Sequence, residues 1–160
     1  MGTLFVKESH GHYRPAVTGE IVEAARQELA DRIQAGQSIA SALEAQDYVH
    51  LQIGHRDREV FAAMFLDARH RVLAFEELFY GTIDGSEVHA REIVKRALHH
   101  NAARCIVAHN HPSGVAEPSM ADHKLTDTIR QALDLVEVRL LDHFVVGGGE
   151  TVSFARRGHL

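Results

Sequence analysis

The sequence predicts an α+β protein in the form of a three-layer α/β/α sandwich, in which helices flank a mixed, mostly antiparallel sheet. Two observations predict this fold class. Apolar residues recur at helical spacing in four segments, and short apolar runs bounded by turn residues lie among them. With 160 residues, of which 45% are hydrophobic, the chain is long enough for one domain to bury its own core.

The first third of the chain is predicted to be helical after an irregular start. Residues 1–17 show no clear periodicity and are interpreted as a loosely held arm. Apolar residues then recur at helical spacing over about 18–35, and Gly36 can end that helix. A second helix is expected to begin after Ser38 and to reach about Ile53, where it packs against the sheet.

The remaining elements alternate between strands and helices. Strands are expected at 59–66, 71–80, 104–109, 138–141, 143–146 and 151–154, and helices at 90–100 and 119–135. Residues 67–70 and 147–150 are predicted turns, and 81–85 are a predicted loop. Three consecutive glycines in the second turn could indicate a phosphate-binding loop. Neither a helix nor a lysine follows them, so a hairpin turn is the preferred interpretation.

The composition narrows the class of protein. No apolar run approaches the ~20 residues of a membrane span, and the N-terminus lacks the apolar segment of a signal peptide. We therefore expect a cytoplasmic protein that does not enter a membrane. The single cysteine, Cys105, cannot form an internal disulfide, and its apolar neighbours indicate a position in the core.

The charge gives no support for a broad nucleic-acid surface. The formal net charge is −5, whereas nonspecific binding to nucleic acid depends on a clustered positive field. The basic residues nearest to such a patch are Arg91, Lys95, Arg96, Arg104, Arg156 and Arg157. A solvated face is the preferred interpretation of these charges, and a nucleic-acid contact is the alternative.

The most informative stretch places two imidazoles, a hydroxyl and a carboxylate within 14 residues. His109 and His111 end an apolar strand, and side chains two apart in a strand share a face at about 6.5 Å, which one metal ion can bridge. Ser119 and Asp122 then begin an amphipathic helix whose first turn can bring a carboxylate back toward the histidines. A capping box explains the serine and aspartate alone, but not their coincidence with the histidine pair.

Two imidazole nitrogens and one carboxylate oxygen form a three-ligand site. With zinc, three protein ligands leave a fourth position for water, which is typical of catalytic rather than structural sites. The chain holds 13 histidines, so other close pairs are expected by chance. His10 and His12 have no carboxylate or structural frame nearby, and His99 and His100 are interpreted as a solvated helix end.

The spacing of His109, His111, Ser119 and Asp122 matches, without gaps, the pattern of the JAMM (MPN-plus) zinc metalloprotease family. The surrounding sequence resembles more specifically the RadC family. The segments that carry this resemblance are Glu77-Leu78-Phe79-Tyr80-Gly81-Thr82, Arg91-Glu92-Ile93-Val94, His109-Asn110-His111-Pro112-Ser113-Gly114, Pro118-Ser119 and Leu141-Asp142-His143. The resemblance covers roughly residues 45–150 and implies the MPN/JAB-like, cytidine-deaminase-like fold.

The resemblance also implies a division of the chain. Full-length RadC proteins carry an N-terminal helix-hairpin-helix region, for which this chain is too short, so we expect a short single-domain RadC-like protein. Residues 1–37 are then an N-terminal arm and helix, and residues 38–160 are an MPN (JAMM) catalytic domain. Ala90 stands where the family usually has proline, which weakens a helix-start signal and changes no chemistry.

The same resemblance implies a set of roles at the site. His109, His111 and Asp122 would bind zinc (Zn2+), one ion per chain, which lowers the pKa of its bound water to roughly 7. Ser119 would stabilise the oxyanion that develops at the attacked carbonyl group.

A glutamate at the start of the first sheet strand acts as the general base in the JAMM family, through a hydrogen bond to the zinc-bound water. Glu59 is the preferred match because it opens the first predicted sheet strand. Glu76 and Glu77, on the next strand, are the rivals, and a polar rim of a hairpin is their other interpretation. Asp142 and His143 are expected to support the site rather than to bind the metal directly.

These features predict a zinc-dependent hydrolase that attacks an amide bond, of the metallopeptidase or isopeptidase kind, with a peptide or protein substrate. The alternative is a DNA-associated accessory protein without proteolytic activity, because the RadC family carries a DNA-repair label. A third hypothesis is a scaffold that has lost catalysis, against which the complete ligand set argues. Specificity would come from loops 82–89 and 115–118, and the oligomeric state is not predicted.

Overall fold

The computed structural model describes residues 2–34, 38–81 and 88–160. The helices and strands of these residues follow in this order: β1 Phe5–Lys7, β2 Tyr13–Pro15, α1 Thr18–Gln34, α2 Ala42–Ile53, β3 Val60–Leu66, β4 Val72–Tyr80, α3 Ala90–His99, β5 Arg104–Asn110, α4 Met120–Asp134, β6 Arg139–Gly147 and β7 Glu150–Ser153. None of the helices in the described part of the chain is both long and apolar enough to cross a membrane.

Five of the strands form one mixed sheet, in the order β4-β3-β5-β6-β7. Only the pair β5 and β6 is parallel among these neighbours, and helix α4 connects the two strands, as a parallel crossover requires. β1 and β2 form a separate two-stranded sheet. The predicted α+β fold with a mixed, mostly antiparallel sheet is confirmed.

The sheet is covered on both faces, which makes three layers. β3 is buried along its whole length, and its side chains alternate between two apolar cores. Ala62 and Met64 face the core that includes α2, whereas Phe61 and Phe65 face the core that includes α3 and α4. The second core continues to His109 at the end of β5, so the candidate site lies on the α4 side of the sheet.

The N-terminal arm has more structure than the sequence predicts. β1 and β2 pair as an antiparallel hairpin, with Phe5 opposite Pro15. Arg14 donates hydrogen bonds of 2.6 and 2.8 Å to Glu20 of α1, and these bonds lower the pKa of that carboxyl to about 2. The strands escape prediction because they are three residues long and leave large side chains such as Phe5 and Tyr13 exposed, so no buried alternation marks them.

The predicted start of the second helix differs from the structure for an identifiable reason. Helix α2 begins at Ala42 rather than after Ser38, because Ser41 is the N-cap and its hydroxyl accepts from the Glu44 N–H at 3.1 Å. Ser38 instead forms an isolated bridge with Arg71. The predicted helix end at Gly36 and all but the first residue of the predicted loop 81–85 lie outside the described residues.

The predicted strands 138–141 and 143–146 are one strand, β6. Its register against β5 shifts between Cys105 and Ile106, whose partners are Leu140 and Asp142. The extra residue, Leu141, interrupts the alternation of side chains, so the apolar pattern reads as two short strands although the backbone pairing continues. Cys105 itself is buried, and burial raises the pKa of its thiol, in agreement with the predicted core position.

Candidate metal centre

His109 and His111 lie at the carboxyl end of β5. The His109 side chain is 2% exposed, and its ring stacks on Phe61 with 6.1 Å between ring centroids. The strand ends at Asn110, but the His111 N–H still donates to the Val146 carbonyl of β6 at 2.7 Å. This backbone bond continues the sheet pairing by one residue and brings the two imidazoles together, as the sequence predicts.

Asp122 reaches the histidines from the first turn of α4. Ser119 is the N-cap of this helix, and its N–H and hydroxyl both donate to Asp122 Oδ2 at 2.6 Å. In return, the Asp122 N–H donates to the serine hydroxyl at 3.2 Å, which completes a capping box. The cap therefore holds the carboxylate in place, with Oδ1 lying 3.3 Å from His109 Nε2.

The three predicted ligands converge on one point. The Nε2 atoms of His109 and His111 are 2.9 Å apart, and His111 Nε2 lies 4.0 Å from Asp122 Oδ2. All three donor atoms lie within 4.8 Å of one another, and no other group of this kind occurs among the described residues. His109, His111 and Asp122 thus form a group that could hold a metal ion.

The surroundings of His111 fit a metal ligand. Its Nδ1 lies 2.7 Å from the carbonyl oxygen of Val115, which can only accept, so Nδ1 carries the proton. When the ring carries only this proton, its bare Nε2 faces His109 and Asp122. Lone pairs this close repel one another unless a cation or a proton lies between them. The three donor atoms lie close enough for one metal ion to contact all of them.

Burial keeps His109 neutral and available for a metal at neutral pH. Desolvation, the largest cause, lowers the pKa of His109 to about 4, while the Asp122 carboxylate opposes this shift and His111 adds to it. The neighbouring His143 is fully buried, and desolvation likewise lowers its pKa well below the usual histidine range.

The lowered pKa of His109 predicts an acid-sensitive fold. Between about pH 4 and pH 6.5 the unfolded chain binds the His109 proton more tightly than the folded protein, so stability falls as the pH falls. We expect the free energy of unfolding of the metal-free protein to decrease by about 3 kcal/mol from this group between pH 7 and pH 4. Denaturant titrations at both pH values measure this change.

The matched control for this prediction is His109→Gln, which removes the titrating group. Between pH 7 and pH 4, the free energy of unfolding of this variant should decrease by about 3 kcal/mol less than that of the unchanged protein. Parallel profiles for the two proteins would contradict the assignment of the acid sensitivity to His109.

Glu59, the predicted general base, immediately precedes β3 and is partly buried. Phe61 pairs with His109 across β3 and β5, and alternation places Glu59 on the same face as Phe61. Continuing the antiparallel register by two residues sets Glu59 opposite His111. The role of Glu59 remains a prediction, and its position just before β3 is compatible with that role.

The rival glutamates are engaged elsewhere. Glu76 accepts a hydrogen bond of 2.6 Å from Arg96 and lies 2.7 Å from His100, and the bond to Arg96 is the main cause that lowers its pKa. Glu77 accepts from Arg56 at 2.6 Å. The predicted solvated end at His100 is thus part of an ion-pair cluster on α3 and β4.

Asn110 is not among the site residues predicted from the sequence, but its side chain holds the segment that carries Glu59. Its Oδ1 accepts from the Val60 N–H at 2.7 Å, and its Nδ2 donates to carbonyl oxygens of residues 56 and 58 at 3.2 and 3.0 Å. The Glu59 carbonyl in turn accepts from the Gly81 N–H at 2.8 Å. The sequence does contain a signal for this role, because a polar residue at the end of a buried strand, between the two histidines, needs hydrogen-bond partners.

The glycine turn after β6 also supports the site. A β-carbon at Gly147 would lie 2.8 Å from the Ala116 nitrogen, and one at Gly148 would lie 2.5 Å from the Gly114 carbonyl oxygen. Gly148 also has a φ of +54°, which other residues rarely adopt. These glycines let the loop after His111 approach the turn closely, and this loop provides the Val115 carbonyl that orients His111.

Asp142 and His143 differ in their relation to the site. His143 Nε2 lies 2.9 Å from His109 Nδ1, so it contacts a predicted ligand on the side away from the other two donor atoms. Asp142 accepts from the His143 and Ala155 N–H groups and from the Ser153 hydroxyl, and it joins β6 to the chain after β7. Their arrangement agrees with the expected supporting roles.

Several of the basic side chains that could contact nucleic acid are paired with carboxylates. The pairs are Arg96 with Glu76, Lys95 with Glu92 and Arg157 with Glu117. Such pairing reduces the positive field that nucleic-acid binding requires.

The mixed sheet and the histidine, histidine and aspartate group are features of a JAB/MPN-type domain, and the sequence matches the family described as RadC-like JAB domain over residues 39–159. The chain belongs to the RadC family.

Three relatives, each called UPF0758 protein, show how far the similarity extends. The chain is 55% identical to the Halorhodospira halophila protein over 158 residues, 99% of this chain and 70% of the relative. It is 54% identical to the Nitrosomonas eutropha protein over 138 residues and 51% identical to the Azotobacter vinelandii protein over 140 residues. These matches cover 86% and 88% of this chain, and 62% of each relative. The names of these relatives state no activity.

Proposed function

We propose that this protein is a zinc-dependent hydrolase that cleaves an amide bond in a peptide or protein, as a metallopeptidase or isopeptidase does. The observation that carries the proposal is the convergence of His109, His111 and Asp122 at the end of β5. His109 is buried, whereas the side chains of His111 and Asp122 are 21% and 15% exposed, so one side of the group faces solvent. We assign the activity to residues 38–160, with residues 1–37 as an arm and helix outside it.

Zinc at this group would act as a Lewis acid that polarises a substrate carbonyl and lowers the pKa of water to roughly 7. Glu59 is the proposed general base, which takes a proton from the attacking water and passes it to the leaving nitrogen. The hydrogen bonds of Asn110 and Gly81 to the backbone around Glu59 support this role, because they hold the segment beside the ligands.

Ser119 is the proposed donor to the developing oxyanion. Its hydroxyl donates to Asp122 Oδ2, and rotation of the hydroxyl about the Cβ–Oγ bond would redirect that proton to a substrate oxygen. The Ser119 N–H also donates to Oδ2 and keeps the carboxylate oriented while the hydroxyl turns. One residue thereby caps the helix, orients a ligand and serves the reaction.

Cleavage of unbiased substrate pools tests the proposal. Zinc-loaded protein is incubated with internally quenched peptides randomised on both sides of the peptide bond, and with lysine isopeptides of the same design. We expect a fluorescence increase in at least one pool, with the cleaved bond identified by mass spectrometry.

The control for this experiment is the same protein treated with 1,10-phenanthroline and then resupplied with zinc. Chelation should stop cleavage and zinc should restore it. No cleavage in either pool, or cleavage that chelation leaves unchanged, would contradict the proposed function.

A further inference from the structure

A buried chain of hydrogen bonds leads from the backbone of α4 to His109. Thr126 Oγ1 lies 2.6 Å from the Asp122 carbonyl oxygen and 2.6 Å from His143 Nδ1. His143 Nε2 then lies 2.9 Å from His109 Nδ1. Thr126 is 2% exposed and His143 is fully buried, so the chain of bonds is shielded from solvent at both residues.

Each of these side chains has a limited number of protons to donate, and this fixes the donor and the acceptor of every hydrogen bond in the series. The Asp122 carbonyl oxygen can only accept, so the single hydroxyl proton of Thr126 is donated to it. The hydroxyl oxygen must then accept from His143, which places the ring proton of His143 on Nδ1. A neutral His143 consequently has a bare Nε2, which accepts from a proton on His109 Nδ1.

The consequence for His109 is that its Nε2 carries no proton. This is the nitrogen that lies 3.3 Å from Asp122 Oδ1 and 2.9 Å from His111 Nε2. The opposite tautomer of His143 would reverse the last bond, because His143 would donate to His109 Nδ1 and the proton of His109 would occupy Nε2. A hydroxyl two hydrogen bonds away therefore selects which His109 nitrogen carries the proton, and it leaves the Nε2 that faces the metal centre bare.

We propose that Thr126 and His143 are positioning residues that hold His109 as the Nδ1–H tautomer and so keep its Nε2 free for a metal ion. This inference deepens the proposed function. Only the expected change in metal affinity rests on that function. The same hydrogen bonds act in the metal-free protein, where they oppose the repulsion between the bare Nε2 atoms of His109 and His111.

The packing around His143 supports a fixed ring orientation. Phe154 stacks against this imidazole at 4.7 Å between centroids, and Phe61 contacts it edge-on at 5.7 Å. Because both aromatic rings are fully buried, the His143 ring has little freedom to turn away from Thr126 and His109. Because the His143 ring is fully buried, no solvent molecule can accept its Nδ1 proton in place of Thr126.

The experiment records histidine tautomers by two-bond 15N–1H correlation spectra of the metal-free protein at about pH 8, above the ordinary histidine pKa near 6.5. Thr126→Val keeps the shape of the side chain and removes the hydroxyl. Thr126→Ser keeps the hydroxyl and serves as the conservative rescue. Thr128→Val is the matched control, because Thr128 makes the same kind of bond, 2.9 Å to the Lys124 carbonyl, on the exposed face of the same helix.

We expect His109 to carry its proton on Nδ1 in the unchanged protein, in T126S and in T128V, and to shift toward the Nε2–H tautomer in T126V. We also expect the zinc dissociation constant of T126V to rise 10- to 100-fold, about the loss that follows removal of a partner behind a metal ligand. T126S and T128V should stay within about threefold of the unchanged protein.

An Nε2–H tautomer of His109 in the unchanged metal-free protein would overturn the inference. So would a T126V variant that keeps both the tautomer and the zinc affinity. If the tautomers behave as expected but no variant binds zinc, the proposed function fails while the positioning role of Thr126 and His143 stands.

Discussion

Replacing His111 with alanine is expected to abolish tight zinc binding. His111 provides one of three donor atoms, and its loss leaves His109 and Asp122 with no third protein ligand at this group. The dissociation constant should rise by far more than about 100-fold, the upper range for loss of a partner behind a ligand. Competition titration with a chromogenic zinc chelator measures the change.

The matched control is His12→Ala, because His12 is exposed and belongs to the His10 and His12 pair of the N-terminal arm. We expect zinc affinity in this variant to equal that of the unchanged protein. Tight binding retained by H111A, or lost by H12A, would contradict the assignment of the metal centre to the end of β5. Denaturation of the metal-free variants verifies that both are folded.

Replacing Glu59 with glutamine is expected to leave zinc bound and to stop hydrolysis. Glutamine has nearly the shape of glutamate but cannot accept a proton at neutral pH, so the variant loses the base and keeps the backbone bonds around it. Loss of general base catalysis lowers the rate by about 100- to 10,000-fold. The measurement compares cleavage of the best peptide or isopeptide with zinc content in the same preparation.

Glu77→Gln is the matched control, because it makes the same chemical change at a neighbouring glutamate. Glu77 accepts from Arg56 at the surface, and we expect this variant to keep both zinc and activity. Glu76→Gln weakens the bonds to Arg96 and His100 and is expected to lower stability rather than catalysis. If E76Q keeps zinc and loses hydrolysis while E59Q stays active, the base is Glu76.

Much of the fold and the ligand group followed from local patterns. The two-residue period of the strand that ends at His109, and the capping signal at Ser119, are local consequences of backbone geometry. Together they predict three donor atoms on adjoining elements without any knowledge of long-range contacts. The spacing from the histidines to Asp122 is informative because an aspartate at this position meets two requirements. It completes the cap of the helix, and it provides a metal ligand.

The contacts of the supporting groups could not be predicted because they depend on pairing between distant segments. The contact of His143 with His109 follows from the parallel register of β5 and β6, which a bulge at Leu141 shifts by one residue. Asn110 supports Glu59 only because β3 lies antiparallel beside β5. The N-terminal hairpin was missed because backbone pairing and Arg14, rather than a buried apolar face, hold it.

X-ray absorption at the zinc edge reports the atoms bound to the metal in solution and therefore tests the metal centre itself. We predict one zinc per chain in a four-coordinate shell of nitrogen and oxygen at about 2.0–2.1 Å, with two imidazole ligands and no sulfur. Protein that takes up no zinc, or a shell that contains sulfur or three or more imidazoles, would contradict a centre formed by His109, His111 and Asp122.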